Sequence, residues 1–390
     1  MSLKTSRREF LGAMTMAAGA YIARPALLQA QPAPAGHVAV AMCPEYNRQV
    51  VESLSTMFDQ LGGIENLVRG KTVAIKLNLT GSATVRLGYL PPEITTWPHP
   101  QVIWALVHLL GQAGAQRIRL LESPWATTEP LQQFMIGAGW QPKEFENAAR
   151  LVEFENTNFL GSGKTYATFM VPHGGLLFTG YELNHSYRDC DVFVSLAKLK
   201  EHRTTGITLS MKNCFGMTPC TIYSDFAPED EPLLAPKGGR SLFHFGNRLP
   251  PKCAPPPVNV NTPKEGGYRV PRAVADLVAA RPIHLAVIDG IYSMAGGEIP
   301  NQYGGYHIPV HPGLLVAGTN CVSTDAVAMA LMGFDPMADR GAHPFETADN
   351  MLHLAEHLGV GTPDLNRIEV AGAPISKARF DFCKVRGSAA

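Results

Sequence analysis

From Lys71 onward the chain alternates short aliphatic and β-branched runs with longer stretches whose apolar residues recur at helical spacing. That rhythm predicts an α/β fold with a mainly parallel sheet flanked by helices, built in Rossmann-like halves. The strand candidates are Thr72–Leu77, Arg117–Leu121, Asp191–Leu196, His284–Ile288, Gly313–Ala317 and Arg367–Ala371. Three of them, DVFVSL, HLAVI and GLLVA, are continuous apolar runs, as expected of strands buried on both faces. Helices are expected over Gln101–Ala113 (closed by Gly114), over Pro130–Ala138, over Thr324–Met332 with Thr324 or Asp325 as cap, and over Asp349–Leu358. Thr218 to Gly267 breaks the pattern. With Pro250-Pro251 and Pro255-Pro256-Pro257 it is neither an ordinary helix nor a central strand. It reads as an insertion, either a lid over a site or a passive surface loop. The expected organisation is a lead-in over 31–70, one α/β domain over 71–372 carrying the 218–267 insertion, and a tail over 373–390.

Composition narrows the partners. Hydrophobic residues at 45% and charged residues at 17% allow a sizeable core, which excludes a disordered chain. Lys+Arg and Asp+Glu number 33 each, so no basic balance points to nucleic acid or to an anionic membrane surface. Seven scattered cysteines do not make a disulfide scaffold.

The first thirty residues read as a targeting segment. Ser6-Arg7-Arg8-Glu9-Phe10-Leu11 fits the twin-arginine pattern, and Phe10 to Ala23 is an uncharged run ended by Arg24. At 14 residues the run falls short of the ~20 apolar residues of a membrane span, so no stable span is expected. Small residues from Ala30 to Ala35 offer a cleavage site. The expectation is export through the twin-arginine translocase to the periplasm or beyond. That route carries folded cargo, often with a cofactor already inserted.

The chemistry-bearing residues sit at predicted strand ends, where open α/β sheets bind ligands. After Asp191–Leu196 come Lys198, Lys200, His202 and Arg203, and then a Thr/Ser/Gly-rich stretch ending in Lys212-Asn213. Such a cluster suits a carboxylate or phosphate. Val73-Ala-Ile-Lys76-Leu-Asn78 places a lysine inside an apolar strand, where an unpaired ammonium is costly, so a carboxylate, with Asp289 or Asp325 as the internal candidates, or a ligand anion must meet it. Asp289 follows a third strand, and Asn320 and Asp325 flank the turn after a fourth. Together these predict one shared cleft. Metal motifs are absent: no C-x-x-C, H-E-x-x-H or Walker loop occurs. Cys214 and Cys220, six apart, are weak metal candidates whose plainer reading is buried thiols.

At these residues the sequence resembles the family known as domain of unknown function 362, over roughly Lys71 to Pro336. The resemblance rests on Lys76-Leu-Asn78, the block from Lys198-Leu-Lys200-Glu-His202 to Lys212-Asn213-Cys-Phe-Gly216, Asp289-Gly290, and Gly318-x-Asn320-x-x-x-x-Asp325. Several such proteins carry an iron–sulfur module, whose cysteine spacing is missing here. The chain is also distantly similar to nickel-pincer lactate racemases, in which an apolar strand after an Asp leads to a catalytic His and, ten residues on, a Lys that carries the nickel nucleotide covalently. Asp191, His202 and Lys212 match that spacing. The resemblance implies a second histidine after Arg117–Leu121, where this chain has Glu122-Ser123-Pro124.

The expected function is an exported enzyme moving a proton on a small anionic substrate, in the manner of an isomerase, epimerase or lyase. His202 would be the base and Lys212 the electrophile or cofactor anchor. Lys76, Asn78, Lys198, Lys200, Asn213, Asp289, Asn320 and Asp325 would bind ligand or cofactor. The alternatives are a periplasmic redox protein with an iron–sulfur centre on Cys214 and Cys220, and a non-catalytic ligand-binding or accessory module.

Overall fold

The computed structural model describes residues 34, 36–300 and 307–387, so the expected signal segment lies outside the described residues. In chain order the strands are β1 (His37–Met42), β2 (Thr72–Lys76), β3 (Arg117–Glu122), β4 (Val152–Asn156), the hairpin β5 (Ala167–Met170) and β6 (Gly180–Leu183), and β7 (Val192–Lys198). The hairpin β8 (Lys200–His202) and β9 (Gly206–Thr208) follows, then β10 (Leu285–Gly290), the pair β11 (Ser293–Ala295) and β12 (Ile308–Val310), β13 (Leu314–Gly318) and β14 (Glu369–Gly372). Eight of these form one sheet in the order β14-β1-β13-β10-β7-β2-β3-β4. All neighbours run parallel except β13, which is antiparallel to both β1 and β10.

The run β4-β3-β2-β7-β10 is the strand order of a doubly wound sheet. The chain moves outward from β2 to β4, returns to lay β7 on the other side of β2, and continues to β10. The reversal makes the crevice between the carboxyl ends of β2 and β7 a topological switch point, where such sheets bind ligands.

Successive residues of each central strand bury into opposite cores. Ala74, Leu121, Phe193, Ala197 and Ile288 join one cluster, and Val73, Ile75, Leu120, Val194 and Val287 the other. Helices Gln49–Gln60 and Pro100–Gln112 cover the second face, and Gly266–Ala280, Cys321–Leu331 and Met351–His357 the first. Pro271 lies inside Gly266–Ala280 and offers no N–H to the Gly267 carbonyl. That carbonyl instead accepts from Asp349 N at 2.9 Å, which ties the helix to the chain ahead of Met351–His357.

Three expectations need correction. The 31–70 segment is not a lead-in, because β1 inserts between β14 and β13 and helix Gln49–Gln60 packs beneath it. Thr324 and Asp325 lie within helix Cys321–Leu331, and the cap is Asn320, whose side chain accepts from Ser323 N. The tail is not free of the fold either: Ala378 and Phe382 are buried.

Candidate functional site

A cleft of about 790 Å³ opens at the switch point, lined from β2 and its exit by Lys76, Asn78 and Thr80, and from β3 by Glu122 and Ser123. The β8 hairpin contributes His202, and the turn beyond it Lys212, Asn213, Phe215 and Gly216. Arg240 and His244 come from the proline-rich insertion, which thus forms one wall, and Glu298 closes the rim. Of the residues singled out from sequence, Lys76, Asn78, His202, Arg203, Lys212 and Asn213 share this cleft.

Lys76 ends β2 beneath the cleft opposite Leu121, which brings Glu122, the last residue of β3, beside it. Lys76 Nζ lies 2.6 Å from Glu122 Oε1 and also donates to Leu77 O at 2.6 Å and Asn213 Oδ1 at 3.2 Å. Glu122 further accepts from Leu79 N at 2.8 Å and Ser123 N at 2.9 Å. The expected partner was Asp289 or Asp325; the adjacent strand supplies Glu122 instead. Gly216 packs onto this pair so closely that an added Cβ would sit 2.8 Å from Lys76 Nζ, so a side chain there would have to displace the pair.

Lys198 does not face the cleft. Its Nζ meets Asp289 Oδ2 at 3.1 Å, Tyr46 Oη at 2.9 Å and Glu93 O at 3.0 Å, where Asp289 is buried near the end of β10 and Tyr46 and Glu93 are half-buried. Asp289 also accepts from His99 N and Ile291 N, which closes that network. Lys200 donates to Thr96 O at 2.6 Å, Thr80 Oγ1 at 3.3 Å and Glu298 O at 3.4 Å, and burial pushes its ammonium down to about 7. Lys198, Lys200 and Asp289 therefore support the cleft from behind rather than line it. Asn320 is a helix cap that also donates to Val360 O, and it does not line the cleft.

Asp325 acts one step removed. Its carboxylate accepts from Ser210 N, Ser210 Oγ and Met211 N at 2.9, 2.6 and 2.9 Å, anchoring the turn that presents Lys212 and Asn213. Burial pushes its carboxyl up to about 7 against the pull of those three donors. Asn213 completes the anchorage, donating to Lys76 O and Ser195 Oγ.

Lys212 differs from the other three lysines. It is 8% exposed, yet makes no hydrogen bond or ion pair among the described residues; its ammonium lies 4.4 Å over the Phe215 ring. Burial, reinforced by Arg240 and Lys76 against the pull of Glu298, lowers it to about 7, so a neutral amine is populated near neutrality.

Two histidines share the cleft with opposite tautomers, fixed by backbone partners. His202 Nδ1 accepts from Thr204 N at 3.1 Å, which puts the ring proton on Nε2. His244 Nδ1 lies 3.1 Å from Arg240 O, which only accepts, so the proton sits on Nδ1 and Nε2 keeps its lone pair. Burial lowers both rings, His202 to about 3, and both are neutral at pH 7. The expected base, His202, thus offers a donor, and the lone pair belongs to His244, which sequence reasoning missed. Arg240 was missed too. Its Nε bonds Thr218 O at 2.6 Å and its Nη2 Ser123 Oγ at 2.5 Å, leaving Nη1 without a partner among the described residues. Among the described residues no carboxylate pairs with this guanidinium.

The residues present do not fit the metal groups that the resemblance implied. Cys214 and Cys220 are fully buried thiols, Cys214 bonded to Ser210 O and raised by burial to about 12. No metal-holding group of three or more His, Cys, Asp or Glu occurs among the described residues. Glu122, standing where a second histidine would be required, is locked to Lys76.

The model of one family, domain of unknown function (DUF362), matches residues 73–330, and that range holds every residue of the cleft named above. The chain belongs to this family. The matched range leaves out β1 and β14, so the DUF362 region here is completed by strands from outside it. A thylakoid-associated protein of Synechocystis sp. is 26% identical over 294 residues, covering 74% of this chain and 71% of the relative. A crystal structure of a protein from Thermotoga maritima is similar at 14% identity and a TM-score of 0.35, covering 67% of this chain. This chain spans about half, 54%, of that protein's length. No helix among the described residues is long and apolar enough to cross a membrane.

Proposed function

We propose that the protein is an enzyme that transfers a proton on a small carboxylate- or phosphate-bearing substrate held in this cleft, in the manner of an isomerase, epimerase or lyase. The observation that carries the reading is the pair of neutral histidines with opposed tautomers beside an unpaired lysine. A site that only binds an anion needs donors alone, whereas His244 presents a basic lone pair and His202 a donor. Arg240 recognises the anionic end of the substrate. His244 Nε2 removes the proton next to the carbonyl or carboxyl group, and His202 Nε2–H stabilises the oxygen on which charge develops, donating a hydrogen bond without surrendering its proton. No step is assigned to a metal.

The twin-arginine reading of residues 1–30 makes this an exported enzyme that folds before translocation. Changing Arg7 and Arg8 together to Lys should hold it in the cytoplasm; undiminished export would remove that part of the proposal.

The chemical part is tested by incubating the protein in D2O with lactate, malate, pyruvate, alanine and 3-phosphoglycerate and following deuterium uptake next to the carboxyl or carbonyl group by NMR. Uptake into at least one of them, abolished by His244→Gln, is expected. Saturable binding of one of these acids with no uptake into any would reduce the protein to a ligand-binding module, the second reading the sequence left open.

A further inference from the structure

The cleft combines four things around Lys212. Its amine is nine-tenths buried and, among the described residues, meets no hydrogen-bond or ion-pair partner, only the Phe215 ring, which distinguishes it from Lys76, Lys198 and Lys200, each held by two or more oxygens. The turn that carries it is fixed by Asp325 and Asn213, so the amine is presented rather than free to swing. A basic imidazole nitrogen and an imidazole N–H line the same cavity. A guanidinium with no carboxylate partner stands near it. An amine held this way, with a base, an N–H donor and a carboxylate receptor around it, is equipped to attack a carbonyl carbon that bears an acid group.

We infer that Lys212 is a nucleophile that forms a Schiff base with a small 2-oxo carboxylate, whose carboxylate Arg240 receives. The inference rests on the proposed proton-transfer reading and gives it a substrate class.

The step balances without an oxidant or reductant. The Nζ lone pair forms the C–N bond as the carbonyl π pair moves onto oxygen, where His202 Nε2–H donates a hydrogen bond. His244 Nε2 takes one amine proton and passes it to that oxygen, giving a carbinolamine. The nitrogen lone pair then expels the hydroxyl, which leaves as water with one proton drawn from solvent through His244, and a protonated imine remains. The positive nitrogen acidifies the neighbouring C–H, and His244 is the base beside it. The lowered basicity of Lys212 agrees with this, because only the neutral amine attacks. Neutral amine and neutral imidazole coexist near pH 7 in this cleft.

The test treats the full chain with pyruvate, 2-oxoglutarate or phenylpyruvate, adds sodium borohydride, and reads intact mass and peptide map. The expected result is a mass increase equal to the oxo acid less one oxygen atom, located on Lys212 and absent from Lys212→Arg. Wild-type protein with no adduct on Lys212, or with adducts only on exposed lysines, overturns the inference. The parallel measurement is deuterium uptake into the methyl group of pyruvate. Uptake at the wild-type rate in Lys212→Ala also overturns it and leaves the proton-transfer reading standing. An intact Lys212 adduct with uptake unaffected by His244→Gln keeps the Schiff base and overturns the role given to His244 instead.

Discussion

The end of β7 and the turn twelve residues beyond it bury lysines in opposite ways. At the strand end, Lys198 is enclosed by Asp289, Tyr46 and the Glu93 carbonyl, and Asp289 in turn collects two backbone N–H groups. At the turn, Lys212 rests on the Phe215 ring with its nitrogen unclaimed. Both are out of water, so both bear the desolvation penalty of a buried charge. The first recovers much of it from Asp289, although burial still lowers its ammonium; the second has the Phe215 ring and the pull of Glu298 alone. A saturated buried cation holds elements together, and an unsaturated one costs stability in the resting fold and is kept for what it meets there.

Substitutions should separate the two regions sharply. The largest loss is expected for Asp289→Ala, which strands Lys198 and leaves His99 N, Ile291 N and Tyr46 short of an acceptor. Removing one partner of such a pair costs about 3–5 kcal/mol, read as a shifted urea midpoint. A smaller loss follows from Lys76→Met. Glu122 would be orphaned but keeps the Leu79 and Ser123 N–H groups, so a cost of about 2 kcal/mol is expected. The same urea titration checks it, and an unchanged midpoint would mean that Lys76, like Lys212, serves a ligand.

Asn320→Ala comes next. It removes the cap of helix Cys321–Leu331, worth about 1 kcal/mol. The helix also carries Asp325, which anchors the Lys212 turn, but three hydrogen bonds hold that contact independently of the cap. Thermal melting should therefore move while deuterium uptake by the folded protein does not. Reduced uptake at full folding would place Asn320 back in the functional group from which its position removes it.

The difference between the two regions was only half visible in the sequence. β7 and β10 were legible as continuous apolar runs buried on both faces, β2 and β3 as short aliphatic runs alternating with helical patterns, and the charged and amide residues at the strand ends marked the cleft. The reversal of β13 was not drawn from the sequence, although the Gly/Pro-rich stretch from Ile291 to Gly313 offered no helical pattern for a parallel crossover. β1 was passed over because one short alternating strand, HVAVAM, beside a targeting segment gives a weak signal, and β4 because an edge strand reading VEFEN looks polar. Within the site, the sequence marked Lys76 as a buried lysine but not its partner, and gave no sign that Lys198 and Lys200 are buried behind the cleft. Pairing depends on register across strands: Lys76 faces Leu121, which brings Glu122 beside it, and no local pattern in β2 announces that. His244 and Arg240 lie in a segment whose prolines hid any periodicity, and their importance appears only where the insertion meets the β2 and β3 ends.

The smallest loss is expected at Lys212 itself, and its pH dependence decides the comparison. Lys212→Met keeps the length of the side chain and its contact with Phe215 while removing a buried charge that the Phe215 ring and the pull of Glu298 offset only in part, so the variant should be as stable as the parent or more so near pH 7. The folded-state value is lowered to about 7 from an ordinary 10.5. Between those limits the unfolded chain holds a proton that the folded chain lacks, and stability therefore rises with pH across that window. Below about pH 7 both states are protonated and the full penalty is present; toward pH 10.5 it disappears. The methionine variant lacks this rise, so its advantage should be greatest at pH 6 and fall away by pH 10. Lys200, also lowered to about 7, contributes a rise in both proteins, a smaller one in the variant because Lys212 is among the charges that lower it, so the difference keeps the same sign. Urea denaturation of the two proteins at pH 6, 8 and 10 measures it. A constant gap across that range would show that Lys212 is compensated in the fold as Lys198 is, and the distinction between the two regions would collapse.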